Sequence, residues 1–326
     1  MRMLLRQVGH SGLRVSRMAL GTMSWGAGVD DYEAAEQLTT FVDAGGTLVD
    51  TAPIYGDGAC EELLGRVLAS TGTRDRVVLA GKCALTRRDG EVVRDASRGT
   101  VLDQLDLSLR QLGTDHLDLW QVHRWDDSTP LDETLAALEH AVTSGRVRYV
   151  GISNFTGWQT ALGHATLAGR PARVPLVSTQ VEYSLLRREA EVDVVPALQH
   201  LGMGLIAWSP LGRGVLTGKY RNGTPADSRG ADPRWEQFVA PYLTPDRAGV
   251  VEALARAAEG LGASPAQIAL AWVRDRPAVA SVVVGARTTA QLVETLAAEA
   301  VEVPPEIRQA LTDVSGGEAL SSAEKE

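Results

Sequence analysis

Leu48-Val49-Asp50-Thr51-Ala52-Pro53-Ile54-Tyr55-Gly56 reads as a short buried strand that ends on a carboxylate and opens into a loop carrying a phenol. A strand holds an acid rigidly, and the loop after it can turn the tyrosine back over that acid. Two other apolar runs end on chemistry in the same way. Val77-Val78-Leu79-Ala80 is followed by Lys82, and Leu117-Asp118-Leu119-Trp120-Gln121-Val122 by His123. If these strands are parallel neighbours, an acid, a phenol, an ammonium and an imidazole meet at one mouth.

The surrounding chain repeats that rhythm. Leu4 to Val8 and Leu13 to Val15 flank Gly9-His10-Ser11-Gly12 and predict a hairpin with a loop longer than the tightest turns. Arg17 to Leu20 then reads as the first buried strand. Asp31 to Ala44 is helical by its spacing of three and four, with Gly45-Gly46 as the stop. Strands at Thr47 to Asp50, Arg76 to Ala80, Leu117 to Val122, Arg146 to Ile152, Leu176 to Val181, Gly204 to Trp208 and Ala280 to Val284 alternate with helical patterns. Among those helices, Thr156 to Leu167 has the least regular pattern. Two βαβαβ halves would give a similar rhythm, so rhythm alone does not separate a barrel from an open sheet. The chain shows no compositional break near its middle, and polar site candidates recur after successive strands. Both features favour one α/β domain over 1-314, a (β/α)8 TIM barrel with an N-terminal β-hairpin and a long loop after strand 7. The small polar stretch 315-326 reads as a flexible tail.

Composition narrows the class. Of 326 residues, 44% are hydrophobic and 22% charged, as expected for a globular chain with a sizeable core. The net charge of -9 and the lack of a basic stripe argue against a nucleic-acid partner. No stretch approaches the roughly 20 apolar residues of a membrane span, and the N-terminus has no secretory pattern. The two cysteines, Cys60 and Cys83, cannot build a disulfide framework or a metal cluster. A single disulfide is conceivable, but two free thiols in the cytoplasm is the better reading. Self-association stays open, because subunit contacts cannot be told from solvent-facing helix surfaces.

The four groups suit reduction of a carbonyl, in which a hydride reaches carbon while a proton reaches oxygen. A free phenol has a pKa near 10, so Tyr55 needs help as an acid. Lys82 would stabilise the developing phenolate, Asp50 would hold the ammonium charged, and His123 would orient the carbonyl. No metal is required. Taken singly, each residue is more often structural: Asp50 a cap, Tyr55 a packing ring, Lys82 a solvated charge, His123 a satisfied core imidazole. Their shared topological position is what favours chemistry.

Several motifs make a resemblance specific. Asp50-Thr51-Ala52-Pro53-Ile54-Tyr55-Gly56, Gly81-Lys82-Cys83, Gln121-Val122-His123-Arg124-Trp125-Asp126 and Gly151-Ile152-Ser153-Asn154-Phe155 carry it, with Gln180-Val181-Glu182-Tyr183-Ser184-Leu185-Leu186 and Trp208-Ser209-Pro210-Leu211-Gly212. Over nearly its whole length the sequence resembles the aldo-keto reductase family, on its bacterial and potassium-channel-subunit side rather than its steroid-reducing side. The resemblance implies a (β/α)8 barrel, a nicotinamide cofactor across the strand-end face, and Tyr55 as general acid tuned by Lys82 and Asp50. Gly81 departs from the threonine common before the lysine, and Cys60 from a common serine.

The cofactor and substrate walls follow from the same resemblance. Gly21, Thr22 and Met23 border the cofactor beside Asp50, while Ser153, Asn154 and Gln180 hold the nicotinamide carboxamide and Trp208 stacks on its ring. Ser209, Pro210, Leu211, Arg213, Gly214 and Lys219 close over the pyrophosphate, with Arg229 a further candidate. Gly285, Ala286, Arg287 and Gln291 surround the adenosine 2′-phosphate, so Arg287 points to NADPH/NADP+. Thr295 replaces an asparagine often found there. Trp25, Ile54 and Trp125, with Tyr55 and His123, line the side facing a small-molecule aldehyde or ketone, and Tyr183 is a weaker candidate for it. Arg124 keeps that wall from being wholly apolar. The rival reading is a nicotinamide-binding redox sensor with little turnover, and the intact four residues argue against it. An ordinary barrel enzyme using another cofactor is a third.

Overall fold

In the computed structural model, which describes residues 2–233 and 235–316, eight parallel strands close on themselves. They are β3 (Met18–Gly21), β4 (Leu48–Asp50), β5 (Val78–Cys83), β8 (Leu117–Val122), β9 (Val147–Ser153), β10 (Leu176–Glu182), β11 (Gly204–Trp208) and β12 (Val279–Val284). The order is β10-β11-β12-β3-β4-β5-β8-β9, and pairing of β9 with β10 completes the ring. Rhythm left the open sheet available; closure excludes it. Each strand is buried almost throughout, as a parallel sheet covered by helices requires.

Two additional hairpins lie outside the ring. β1 (Leu5–Gln7) and β2 (Arg14–Ser16) form the expected N-terminal pair. Val8, Leu13 and Val15 pack with Ala19, Leu48, Ala80, Leu119, Ile206 and Ala280 inside the barrel, so this hairpin plugs the strand N-terminal end. Its turn approaches so closely that a Cβ on Gly9 would lie 2.3 Å from the Gly202 carbonyl oxygen. The other hairpin, β6 (Leu85–Arg88) and β7 (Glu91–Arg94), follows β5 at the opposite end and was not anticipated. Its turn is Asp89-Gly90, with φ of 51° and 85°, a pairing that favours tight hairpins.

The outer layer contains α1 (Asp31–Asp43), α2 (Ala59–Thr71), α3 (Arg98–Leu112), α4 (Leu131–Thr143), α5 (Gly157–Ala168), α6 (Val194–Leu201), α7 (Glu236–Val239), α8 (Pro245–Leu261), α9 (Pro265–Arg274), α10 (Thr289–Leu296) and α11 (Pro305–Ser315). Side chains fix several starts: Asp30 accepts from Glu33 N, and α5 and α9 open with capping boxes, Thr156 with Gln159 and Ser264 with Gln267. The weak pattern of α5 is therefore offset by a well-made N-terminus. Ser315 closes α11, anchored to the Arg188 guanidinium at 3.1 Å, while 317–326 of the expected tail lie outside the described residues. The long connection after β11 consists of short 3₁₀ turns and the single turn of α7. Among the described residues, no helix is long and apolar enough to cross a membrane.

Candidate active site

Parallel pairing brings the strand ends into register. Gly21 lies opposite Asp50, Asp50 opposite Ala80, and Lys82 opposite Gln121, one residue short of the end of β8. Tyr55 opens a 3₁₀ turn whose next residues, Gly56, Asp57 and Gly58, all have positive φ. That left-handed run bends the loop back toward β5. A Cβ on Gly58 would lie 2.4 Å from the Gln111 amide, so glycine is required there by space as well as by φ.

Lys82 Nζ lies 2.8 and 2.7 Å from the two Asp50 carboxylate oxygens, 3.1 Å from the Thr51 carbonyl and 3.2 Å from Tyr55 Oη. The ammonium is fully buried. Gln180 Nε2 donates to Asp50 Oδ1 at 2.7 Å, so this carboxylate is bound on three sides of a nearly dry site. Burial lowers the Lys82 pKa, but Asp50 first and then Tyr55 outweigh it, and the balance lies above the ordinary value. Burial raises the Tyr55 phenol; Lys82 opposes that and Asp50 reinforces it, leaving the phenol protonated above its usual range. The sequence suggested a phenol made acidic by its neighbours. In the folded chain Lys82 only moderates the effect of burial. His123 meets Tyr55 edge-on at 6.0 Å between centroids, and burial, then Lys82 and Arg124, hold its imidazole well below 6.5. It is neutral at physiological pH.

Tyr55, His123 and Asp50 open on a cavity of about 530 Å³ at this end of the barrel. Gly21, Thr22, Met23, Asn154, Gln180 and Trp208 line it, as do Ser209, Pro210, Leu211, Arg213, Gly214, Lys219, Arg229, Gly285, Ala286, Arg287 and Gln291. Ser153 does not. It is buried beneath the wall, donating from Oγ to the Gln180 carbonyl at 2.8 Å and accepting from Asn154 Nδ2 at 2.9 Å. Asn154 Nδ2 also donates to the His123 carbonyl at 3.0 Å, and Asn154 Oδ1 accepts from Trp208 Nε1 at 3.1 Å. These bonds join the ends of β8, β9, β10 and β11. Asn154, Ser209 and Arg213 all have positive φ, at 57°, 54° and 57°, so backbone strain gathers at this rim.

Four of the residues expected on the substrate wall stand off the cavity. Trp25 is fully buried and donates from Nε1 to Gln37 at 3.2 Å, because the loop after β3 folds it outward onto α1. Ile54 does not line the cavity, since Tyr55 takes the inward place at that turn. Trp125 also stands off it, edge-on to Phe155 and Trp158, with Nε1 held by Asp127 at 2.7 Å. Tyr183 is a core ring against Trp272. Arg213 lines the cavity, but its guanidinium is engaged by Glu182 at 3.0 and 3.1 Å and lies 3.6 Å from the Phe238 ring centroid. Ser24, Thr217, Phe238, Ala266, Val283, Val284 and Glu294 complete the lining unforeseen. Of these, only Ser24 had a sequence signal, its place next to Gly21-Thr22-Met23 after a strand.

The glycine at 81, one of the departures from the resembling pattern, has a spatial cause. A Cβ on Gly81 would lie 2.8 Å from the Trp120 ring, which leaves no room for threonine. Cys60 is a buried free thiol donating to the Thr22 carbonyl at 3.1 Å, and burial pushes it up to about 11. Cys83 is buried and free as well.

Comparison with known proteins agrees with this geometry. The aldo/keto reductase family profile matches residues 17–315. YrpG, an uncharacterized oxidoreductase of Bacillus subtilis (strain 168), is 37% identical over 95% of each chain. A probable voltage-gated potassium channel subunit beta of Oryza sativa subsp. japonica is 34% identical over 95% of each. L-glyceraldehyde 3-phosphate reductase of Escherichia coli (strain K12) is 35% identical, over 91% of this chain and 87% of its own. On the strength of that profile and these relatives, the chain belongs to the aldo/keto reductase family, oxidoreductases that act on small-molecule carbonyl compounds.

Proposed function

We propose that this protein is an NADPH-dependent reductase of aldehydes or ketones, with Tyr55 as the general acid. The observation that carries the reading is the buried chain of contacts from Asp50 through Lys82 Nζ to Tyr55 Oη, 3.2 Å long at its last step and open to the cavity. The cofactor supplies the hydride. Tyr55 gives its proton to the carbonyl oxygen, and the phenolate left behind is stabilised by the Lys82 ammonium. Neutral His123 orients the carbonyl by a hydrogen bond. Asp50 keeps the ammonium charged and aimed.

The donor set fits a nicotinamide dinucleotide phosphate. Gln180 spends one side-chain N–H on Asp50, and among the described residues its side-chain Oε1 has no donor, which suits a carboxamide N–H. Asn154 is the second amide, oriented from below by Ser153, and Trp208 offers the stacking face. Lys219 and the backbone around Ser209, Pro210, Leu211 and Gly214 suit the pyrophosphate. Arg213 braces that loop through Glu182. Arg287 gives one N–H to the Asp227 carbonyl at 2.9 Å and keeps the rest of its fork. The Arg229 guanidinium has no hydrogen-bond partner among the described residues, and burial and then Arg287 push its pKa down. Two facing guanidiniums suit a dianionic phosphate, which favours NADPH over NADH.

Residues 1-314 act as one domain in this reading. Charge balance and thiol usage support a cytoplasmic location without a nucleic-acid partner. Consumption of NADPH that depends on an added aldehyde or ketone tests the activity, and its absence across a broad carbonyl panel would sink it. The second reading, a cofactor-holding redox sensor, draws on the potassium channel subunit among the relatives. Tight NADPH binding without turnover would favour it.

A further inference from the structure

Arg124 follows His123 directly and lines the cavity beside it. Among the described residues no carboxylate pairs with it, nor with Arg94 at the end of β7. The backbone puts these two arginines close together. Arg94 pairs with Leu85, Asp95 N donates to the Ala84 carbonyl at 3.2 Å, and His123 N donates to the Cys83 carbonyl at 2.9 Å. Asp126 then fixes both segments. Its carboxylate accepts from Ala96 N and Ser128 N at 2.9 Å, Thr129 Oγ1 at 2.7 Å and Ser128 Oγ at 2.6 Å. Burial opposes the charge, but those donors hold the Asp126 pKa at about 2. It is ionised and already spent.

The local charge is unbalanced. Burial lowers the Arg124 pKa first, Arg94 lowers it further, Glu182 pulls it back and Arg213 lowers it again. Glu182 is the carboxylate that acts on Arg124, and it is taken by Arg213 at 3.0 and 3.1 Å and by Tyr242 Oη at 2.7 Å. Glu182 thus acts on both Arg124 and Arg213, in a chain whose net charge is -9. The Arg94 and Arg124 side chains both reach solvent, so water screens part of their repulsion, and an anion held between them would relieve the rest. This cluster is not the Arg287 end of the mouth. β8, which ends two residues before Arg124, lies four strands from β12 in the closed order, directly across the barrel. One phosphate cannot serve both.

We propose that the carbonyl substrate carries its own anionic group, a carboxylate or a phosphate a few bonds from the C=O, gripped by Arg124 with Arg94 behind it. A planar fork matches either oxyanion through two parallel N–H bonds. With the anion held there, the carbonyl falls to His123 and Tyr55. The inference rests on the reductase reading above and narrows it from carbonyl compounds in general to acidic ones.

The test compares paired substrates in NADPH oxidation: succinate semialdehyde against its methyl ester, and glyceraldehyde phosphate against glyceraldehyde. At least one anionic member should exceed its neutral partner in kcat/KM by about tenfold or more, and which pair does so identifies the anion. In Arg124→Gln the anionic-to-neutral ratio should fall about tenfold, chiefly through KM, with Arg124→Lys falling less and Arg94→Gln about threefold. Added salt should shrink the ratio in the unmodified protein. Neutral partners reduced as well as anionic ones, or a ratio indifferent to Arg124→Gln, would overturn the inference while leaving the reductase reading intact. If none of the four is reduced, the broad carbonyl panel decides the reductase reading. Binding of succinate against succinamide to the NADPH-loaded protein, read by tryptophan fluorescence, then still decides the anion site: tighter succinate supports it and equal binding overturns it.

Discussion

Charges on the β4–β5 side of the mouth are closed on one another, whereas Arg287 after β12 and Lys219 and Arg229 in the connection after β11 are not. Lys82 and Asp50 are buried, share two contacts of 2.7 and 2.8 Å, and draw in Gln180, Thr51 and Tyr55. Across the barrel, Arg229 and Lys219 have no carboxylate partner among the described residues, and Arg287 leans only on a backbone carbonyl. A closed pair sets its own geometry before any ligand arrives, which is what proton transfer needs. An open set of cations gains its counter-charge from a ligand, which is what phosphate recognition needs. The contrast separates where chemistry is prepared from where binding energy is taken up.

The largest effect expected from that contrast is at Tyr55. Tyr55→Phe should lower the reduction rate by about 100- to 10,000-fold, the span of general acid catalysis, with NADPH affinity little changed. Turnover near the wild-type rate would remove the phenol from its role. Lys82→Met should come next, because it leaves Asp50 ionised and buried without its counter-ion. A loss of roughly 3–5 kcal/mol in denaturant unfolding is expected, with much of it recovered in the Lys82→Met/Asp50→Asn double variant. Additive losses would show that the pair is not coupled.

Glu61 sharpens the comparison from beneath the closed side. This α2 carboxyl is fully buried, neither oxygen has a hydrogen-bond partner, and burial pushes it up to about 7. The fold retains its proton after the unfolded chain has lost it near 4.5, so stability from this group drops as pH rises from 4.5 to about 7 and then levels off. Glu61→Gln should match wild type at pH values below that window. Above it the variant should be more stable by on the order of 3 kcal/mol. Parallel stability curves through the window would mean Glu61 is ionised and paired. The smallest effect belongs to the open side. Arg287→Ala should weaken NADPH about tenfold, the scale of one charge-assisted contact, and NADH far less. Equal losses would break the contrast at its binding end.

Much of the fold was legible because it depends on local pattern. Buried apolar runs, three-and-four spacing and the Gly45-Gly46 stop are statements about neighbours in sequence. The hairpin Leu85–Arg94 was missed: Asp89-Gly90 carries a turn signal, but charged residues on both strands obscured the alternation. The tetrad positions were legible from their shared offset after strands. Side-chain direction was not. Trp25 and Trp125 both follow strands, yet one is folded onto α1 and the other is held by Phe155, Trp158 and Asp127. Arg213 looked like a free cation because Glu182 is 31 residues away in sequence.

The sequence by itself determined the alternating elements, the residues at the strand ends and the net acidity, because each follows from composition and short-range spacing. Only the tertiary structure decided closure of the sheet, the inward turn of Tyr55, the engagement of Gln180 by Asp50, and which arginines keep an unmatched charge. Those outcomes depend on contacts between residues far apart in the chain, where packing space and the competition for counter-ions choose among partners that the sequence leaves equivalent.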